Sequence, residues 1–402
     1  MSGMELTLNY PPSKFASDND LSDAAVVQKY KLAADIVNNA MEQILTKVAP
    51  GISVSDLCQY GDDLIEAHTK DLYKTSERGV AVPTCVTINN LVQYYSPLAD
   101  ADYNLSPGDA VKIELGAHVD GYIATSAHTT VVNANASQPV TGRVADVVCA
   151  AHFALEAATR MLKPGVKSSE ITRVITEIAA YYRCQPVEST FSSPMKRFVL
   201  RAGKDIENRF EENLLVQDLE RSDFEIEANQ VYQLNVVLTT GDGKVKSSEH
   251  KSYVYQRDVN SSYQLKMKAA RVAYRQINEK HTVFPFSTRA LSGNQARLGL
   301  SSLLTHNLVT PYPVMRSSTT SDIVAQFKAT VLVMPDGQLR TTLPQQLPFV
   351  HSQYCIPQPT MASNALSSLP VKEHKKPKGL REVEVAFGER RVETEDVEME
   401  MD

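Results

Sequence analysis

The sequence predicts an α/β fold, because long runs with helical apolar spacing alternate along the chain with short segments of strict strand alternation. The helical runs are residues 23–48, 54–68, 140–162 and 168–182. Strand alternation is clearest over residues 111–117, where Val, Ile, Leu and Ala alternate with Lys, Glu and Gly. The dipeptide Asp120-Gly121 follows, and both residue types tolerate positive φ. The segment Gly108–Asn133 is therefore predicted to be a β-hairpin.

The ends of the predicted helices carry breaking and capping residues. Pro50-Gly51 ends the first helix, and Ser53 is the predicted N-cap of the second. Ser168 or Ser169 is the predicted N-cap of the fourth helix, since a serine hydroxyl accepts a hydrogen bond from a backbone amide of the first turn.

Further strands are predicted over residues 83–89, 230–238 and 326–333. The last two run into the turn sequences Gly241-Asp242-Gly243 and Pro335-Asp336-Gly337. Together with the hairpin at Asp120-Gly121, three hairpins of one style are expected along the chain. Two more helices are predicted between the last two strands, over residues 263–280 and 295–306.

Composition bounds the class of protein. A chain of 402 residues with 43% hydrophobic content can bury a large core. No apolar run approaches the length of a membrane span, and the first residues lack a secretory signal. Residues 1–22 contain Pro11-Pro12 and a cluster of Ser, Asp and Asn, and they are predicted to be a flexible arm. The five cysteines are an odd number without a C-x-x-C pair, which predicts free thiols in an intracellular, reducing setting and no structural zinc site.

Charge is unevenly distributed at the carboxyl end. The net charge of the chain is −6. The basic residues Lys372, Lys375, Lys376, Lys378 and Arg381 precede an acidic run from Glu389 to the end. Residues 366–402 are therefore predicted to be a charged, disordered tail. Such a tail either serves solubility alone or contacts a ribosome or nucleic acid. Composition leaves both interpretations open.

The hairpin resembles the first metal-binding hairpin of the pita-bread family, in particular that of type 2 methionine aminopeptidases. That family carries two metal-binding aspartates on this hairpin, and Glu114 and Thr125 take their places here. By the same resemblance, the remaining ligand positions are Ser193, Asn235 and Lys328. A hydroxyl cannot replace a bridging carboxylate, and an ammonium stands where a metal would bind. Two substrate-side positions of the family correspond to Tyr94 and Arg201.

Several runs narrow the resemblance to a branch that has lost catalysis, the proliferation-associated proteins and the fungal curved DNA-binding protein. These runs are His118-Val119-Asp120-Gly121, Ser96-Pro97-Leu98, Pro285-Phe286-Ser287-Thr288-Arg289 and Phe327-Lys328. Tyr94 and Ser193 depart from this branch, which often keeps histidine at both positions. The resemblance implies a pita-bread (creatinase/aminopeptidase-like) fold of two pseudo-symmetric halves over residues 23–350, with a helical insert over about 258–318.

The function that the resemblance implies is that of a non-catalytic adaptor without metal or other cofactor. It would associate with ribosomal or pre-ribosomal particles, RNA or curved DNA, in the cytoplasm and the nucleus (the nucleolus included), and not with membranes. Two alternatives stay open: an active metal-dependent methionine aminopeptidase, and a protein–protein scaffold in growth signalling. Metal content separates the first alternative from the adaptor, and ribosome association separates the second.

The altered ligand positions predict either a remodelled binding cleft or a relict cavity filled by a hydrogen-bond network, and the second reading is favoured because buried polar groups need partners. Glu114 and Lys328 are expected to form a salt bridge. A set of cations, either a solvated face or phosphate contacts, comprises Lys196, Arg197, Arg201, Lys204, Lys244 and Lys246.

Overall fold

The computed structural model describes residues 17–70, 72–73, 75–210, 222–375 and 383–388. The helices are α1 (Ala24–Lys47), α2 (Val54–Thr69), α3 (Gly142–Met161), α4 (Ser168–Tyr181), α5 (Lys268–Lys280), α6 (Asn294–Thr305) and α7 (Met361–Ser367). The first strands are β1 (Arg78–Ile88), β2 (Leu91–Gln93), β3 (Ala110–Val119), β4 (Tyr122–Val131), β5 (Gln185–Pro186), β6 (Phe191–Met195), β7 (Ile206–Glu207) and β8 (Gln230–Thr239). The later strands are β9 (Val245–Ser247), β10 (Val254–Arg257), β11 (Phe286–Ser287), β12 (Val309–Pro311), β13 (Met315–Ser317), β14 (Val324–Met334), β15 (Gly337–Arg340) and β16 (Lys372–Glu373). Among these described residues, no helix is long and apolar enough to cross a membrane.

The centre of the fold is a mixed sheet in which strands from distant parts of the chain are neighbours. Its order is β1-β3-β4-β14-β8-β6-β7, and β15 and β5 pair with β14 and β8 at its margins. Strand β14 lies between β4 and β8, so the central hairpin and the later strands form one continuous surface. The predicted α/β class is confirmed.

Two helix pairs cover one face of this sheet. Helices α1 and α2 pack on β1, β3 and β4, and helix α3 packs on β8 and β14 with α4 beside it. The apolar side chains of the first half, such as Ile113 and Leu115, face α1 and α2, and those of the second half, such as Val236 and Phe327, face α3 and α4. Because side chains alternate along a strand, the residues between them point to the opposite face. The two halves of the sheet are thus built alike.

The hairpin and the helix boundaries largely confirm the sequence prediction. Asp120 and Gly121 have φ values of 54° and 80°, the left-handed conformation that a two-residue hairpin turn needs. Ser53 caps α2 by accepting a hydrogen bond from the amide of Asp56. Strand β1 is longer than predicted and begins at Arg78. Its register shifts between Val80 and Val82 and again between Val82 and Cys85, and the second shift contains Pro83, which cannot donate to a ladder.

Two local predictions are wrong. Neither Ser168 nor Ser169 is the N-cap of α4, because both hydroxyls donate to the carboxylate of Asp223, which also accepts from the amide of Ser169 at 3.0 Å. The turn at Gly241–Gly243 does not close a hairpin either. Strand β9 leaves β8 and joins β2 and β13 in a separate sheet, so two of the three predicted hairpins are present.

The insert is a compact unit with its own core. Helices α5 and α6 pack against each other, and a small sheet of β11, β10 and β12 lies at their base. The side chain of Arg289 reaches from the insert into the first half of the molecule. Its guanidinium lies 2.8 Å from Asp62 and donates to the carbonyls of Ser96 and Pro97. The insert is therefore fastened by a buried ion pair.

The predicted arm and tail are docked wherever the structure describes them. Leu21 is buried, and the hydroxyl of Tyr122 donates to the carbonyl of Asp18. Strand β16 pairs in parallel with β15, and Nε2 of His374 lies 2.9 Å from Oδ1 of Asp35. The predictions of a free arm and a free tail are thus corrected for residues 17–22, 366–375 and 383–388. Residues 1–16, 376–382 and 389–402 lie outside the described residues.

Candidate functional site

The predicted site lies on the sheet face that the helix pairs leave uncovered. Glu114 of β3 is opposite Ala127 of β4, Ala127 is opposite Lys328 of β14, and Lys328 is opposite Asn235 of β8. Residues in direct register point to the same face, so these four side chains form one row across the sheet. The row brings together positions that are more than 200 residues apart in the chain.

An ion pair occupies the middle of this row. Nζ of Lys328 donates to Oε1 of Glu114, and the two side chains are 7% and 4% exposed. The predicted contact between these residues is confirmed. A pair so completely removed from water is held by geometry and by further hydrogen bonds, because desolvation of both charges offsets much of their attraction.

Side-chain amides complete the hydrogen bonding of the pair. Nε2 of Gln326 donates to Oε2 of Glu114 at 3.1 Å and to Oδ1 of Asn235 at 2.9 Å. Oε1 of Gln233 accepts from Lys328 at 3.5 Å. Both carboxylate oxygens of Glu114 thus have donors. The network agrees with the favoured reading of a cavity filled by polar partners.

Thr125 and Ser193 share this face of the sheet but take less part in the network. Thr125 is two residues before Ala127 on β4, and Ser193 of β6 is opposite Gln233. The backbone amide and carbonyl of Thr125 both bond to the hydroxyl of Thr330 at 2.9 Å. Within the described residues, Oγ1 of Thr125 is buried without a hydrogen-bond partner. All five predicted ligand positions therefore lie on one face. Gln326 links Glu114 to Asn235, and Lys328 bonds to Glu114 directly.

Tyr94 and Arg201 lie at the margin of the site. The ring of Tyr94 packs edge-on against Tyr312 at 4.8 Å between centroids. Burial, and next the charge of Glu114, raise the pKa of Tyr94, so its hydroxyl stays neutral. Arg201 is paired with Asp205 and lies over the ring of Phe191, with 58% of its side chain exposed. Arg201 is therefore at the entrance and not in the row.

Lys112 is a second buried cation, which the sequence analysis did not single out. It is two residues before Glu114 on β3 and is fully buried, and its Nζ donates to the carbonyl of Asn89 at 3.0 Å. Burial lowers the pKa of Lys112 to about 7. Strand alternation alone places Lys112 on the same face as Glu114, but alternation does not tell whether that face is covered.

The residues of the row do not fit the two divalent cations that the pita-bread resemblance implies. Two-metal sites use several carboxylate and imidazole ligands to offset the metal charge. Here one carboxylate is available, and a lysine ammonium bonds to it. Across the part of the chain that the structure describes, no group of three His, Cys, Asp or Glu side chains is placed to hold a metal ion.

The cations predicted to contact phosphates are not equivalent. Arg197 is held within the molecule: its guanidinium lies 2.9 Å from Asp18 and 2.6 Å from Asp120, and its Nε donates to the carbonyl of Asp120. Since Arg201 is also paired, both arginines already have carboxylate partners. Four lysines of the set are exposed, namely Lys196, Lys204, Lys244 and Lys246.

Comparison with known proteins agrees with this architecture. Residues 28–255 match the model of metallopeptidase family M24. The chain is 40% identical over 363 residues to proliferation-associated protein A of Dictyostelium discoideum, covering 89% of this chain and 92% of that protein. It is 35% identical to the curved DNA-binding protein of Schizosaccharomyces pombe, covering 81% and 86%. The solved structure of a thermophilic Arx1 superimposes with a TM-score of 0.78 at 25% identity, covering 87% of this chain and all of that one. The predicted pita-bread fold and family resemblance are confirmed.

The ion pair predicts a strong and non-additive response to mutation. Changing Lys328 to methionine leaves Glu114 buried without its counter-charge, which should destabilise the protein by about 3 kcal/mol. Changing Glu114 to glutamine in the same chain should recover much of this loss, because the two sites are coupled. Chemical denaturation of the two single variants and the double variant measures the coupling. Additive losses would show that the charges do not depend on each other.

Lys112 predicts a specific pH dependence of stability. Its pKa is lower in the folded than in the unfolded chain, so the unfolded chain binds the extra proton between about pH 7 and pH 10.5 and stability rises with pH in this window. Changing Lys112 to methionine should flatten this rise. The variant should be more stable than the wild-type protein at pH 6 by roughly 5 kcal/mol, with the difference shrinking towards pH 10. Urea denaturation at several pH values tests this, and parallel pH profiles for the two proteins would contradict it.

Proposed function

The chain belongs to metallopeptidase family M24, and we propose that it is a non-catalytic member that acts as a nucleic-acid-binding adaptor of ribosomal or pre-ribosomal particles. The hydrogen-bonded ion pair between Lys328 and Glu114 at the centre of the row is the main support for the proposed loss of catalysis. As an adaptor of such particles it would be present in the cytoplasm and the nucleus, with the nucleolus included.

Loss of peptide hydrolysis follows from the chemistry of the row. A two-metal hydrolase needs its metals to generate a hydroxide at neutral pH and to stabilise the charge of the transition state. The ammonium of Lys328 neutralises the single carboxylate and repels a cation from the same place. Neither Asn235 nor Thr125 supplies the missing negative charge. The function of the chain is therefore proposed to lie on its surface.

Support for nucleic-acid binding comes from the charge of the insert. Residues 258–318 contain eight Lys and Arg residues but only two acidic ones, Asp258 and Glu279, although the whole chain has a net charge of −6. On α5, Lys268, Arg271 and Arg275 are exposed and are spaced by three and four residues, which places them on one face. Nε of Arg275 lies 3.9 Å from the exposed carboxylate of Glu279, and this contact is open to solvent. Ala270, Ala273 and Ile277 of the same helix are buried on the other face. We name the three cations of α5 the basic face.

The basic face suits contacts with a phosphate backbone. Such contacts supply affinity and position without reading sequence, and they release counterions. The name of the Schizosaccharomyces pombe relative, curved DNA-binding protein, supports nucleic acid as the ligand class. A signalling scaffold is the second candidate; its binding to a partner protein would not follow the salt dependence of phosphate contacts.

The absence of catalysis is tested on purified protein. We expect no stoichiometric divalent metal by elemental analysis and no release of methionine from peptides, with an active type 2 methionine aminopeptidase assayed in parallel as the control. The physical reason is the missing carboxylates around Lys328. Two equivalents of bound metal, or methionine release that a chelator abolishes, would establish the enzyme alternative.

Nucleic-acid binding is tested by co-sedimentation with ribosomes at several salt concentrations. Changing Arg271 and Arg275 to alanine should weaken binding and lower the slope of log K against log salt by about one per lost contact. A matched control is Arg173→Ala, which removes an exposed arginine from α4. Unchanged affinity and slope in the double variant would exclude the basic face as the contact surface.

A parallel pair of variants tests the contacts predicted from sequence. Lys244→Ala and Lys246→Ala alter exposed lysines outside the insert. A loss with these variants and not with the α5 variants would move the proposed contact to β9 and its preceding turn. Arg197 is unsuitable for this comparison, because its substitution would also release Asp18 and Asp120.

A further inference from the structure

Residues 383–388 pack on the surface between α1 and α2, which we call the groove. Along this segment, Val383, Val385 and Phe387 are half-buried and the residues between them are exposed. Strict alternation of this kind is the pattern of an extended chain with one face on a surface. Val385 and Phe387 pack against the same apolar cluster that α1 and α2 form with the sheet.

The aromatic side chain of the segment has a specific seat. The ring of Phe387 meets Tyr60 of α2 edge-on, with centroids 5.2 Å apart at an interplanar angle of 82°. Nζ of Lys47, the last residue of α1, lies 5.7 Å from the centre of the Phe387 ring and 6.0 Å from that of Tyr60. One cation thus faces two aromatic rings, an arrangement that adds to the apolar contact. The hydroxyl of Tyr60 donates to Oε1 of Gln43 at 3.2 Å, which orients the ring.

A polar stripe on α1 runs along this groove. Asp35, Asn39, Gln43 and Lys47 follow each other at steps of four residues, so they lie along one side of the helix. Asp35 and Asn39 are buried although they are polar. Asp35 is bonded to His374, and Asn39 accepts from Gln43 at 2.5 Å. The two ends of the stripe therefore contact the carboxyl-terminal part of the chain, Asp35 through His374 and Lys47 through Phe387.

The chain between these two contacts is much longer than the path that it has to cover. From Asp35 to Lys47 the helix rises by about 18 Å. The thirteen residues from His374 to Phe387 can extend to about 43 Å. The length of the connecting chain therefore does not force the ring of Phe387 into its position. Residues 383–388 are held by the contacts of their own side chains.

We propose that the groove between α1 and α2, lined by Gln43, Lys47 and Tyr60, is a docking site for an extended peptide that residues 383–388 occupy in cis. The partner that fits it is a segment of another protein with β-branched residues at alternate positions followed by an aromatic residue at the same spacing. A tethered segment competes at an effective concentration on the order of millimolar, so such a partner binds once the carboxyl-terminal segment has left.

The proposal is tested with the full chain and a fluorescently labelled peptide of sequence REVEVAFGER, residues 381–390. In the Phe387→Ala chain the groove is open, and the peptide should bind at least about tenfold tighter than to the wild-type chain, which its own segment protects. Leu369→Ala is the control, because it removes an exposed apolar side chain of the same terminal region outside the groove. It should bind the peptide as the wild-type chain does.

Two further changes place the peptide in the groove. Adding Tyr60→Ala or, as a milder variant, Lys47→Ala to the Phe387→Ala chain should remove the gain, and so should a peptide with alanine in place of its phenylalanine. Equal peptide binding by the wild-type and Phe387→Ala chains, or a gain that survives the Lys47→Ala change, would overturn the proposal. Self-association of the wild-type chain that Phe387→Ala abolishes would overturn the cis arrangement, because the segment would then dock on a second copy.

Discussion

The ion pair between Lys328 and Glu114 is the contact on which the arrangement of the cleft depends. Strands β3 and β14 are not neighbours, because β4 lies between them. The pair therefore spans two interstrand spacings, about 10 Å. The lysine and glutamate side chains together span this gap, and Ala127, the residue between the two in the row, presents only a methyl group. Charge neutralisation in the row thus depends on a long cation, a carboxylate and a small residue in one register.

The amides around the pair explain how two buried charges are tolerated. Gln326 of β14 donates to both Glu114 and Asn235, so one side chain links β3 to β8 across the sheet. Asn235 in turn donates to the carbonyl of Phe191 on β6. A network of this kind is stable when every member has a partner, and removing one member leaves a buried polar group unpaired. The cleft is therefore filled by a set of mutually dependent hydrogen bonds that joins β3, β14, β8 and β6.

Local pattern was sufficient to predict the hairpin and the four long helices, and the family resemblance placed Glu114 and Lys328 on one face. It failed where a distant residue decides the outcome. The serines at the start of α4 have the sequence pattern of an N-cap, but both hydroxyls donate to Asp223. Sequence periodicity cannot predict a carboxylate partner that is more than fifty residues away. Arg197 has the same character: its partners Asp18 and Asp120 are 179 and 77 residues distant. Sequence spacing gives the direction of a side chain, whereas its partner and its burial depend on which elements meet.

Alternation along the strands also explains how the residues of the cleft can change while the fold persists. The residues of odd number on β3, such as Ile113 and Leu115, belong to the core under α1 and α2, and Glu114 and Lys112 point the other way. On β14, Phe327 and Ala329 pack under α3, and Gln326 and Lys328 face the cleft. Folding energy from apolar burial therefore comes mainly from one parity of residues and the former chemistry from the other. A substitution on the cleft side needs only a polar partner on that side, and the helix-covered core, which determines the pita-bread architecture, is left unchanged.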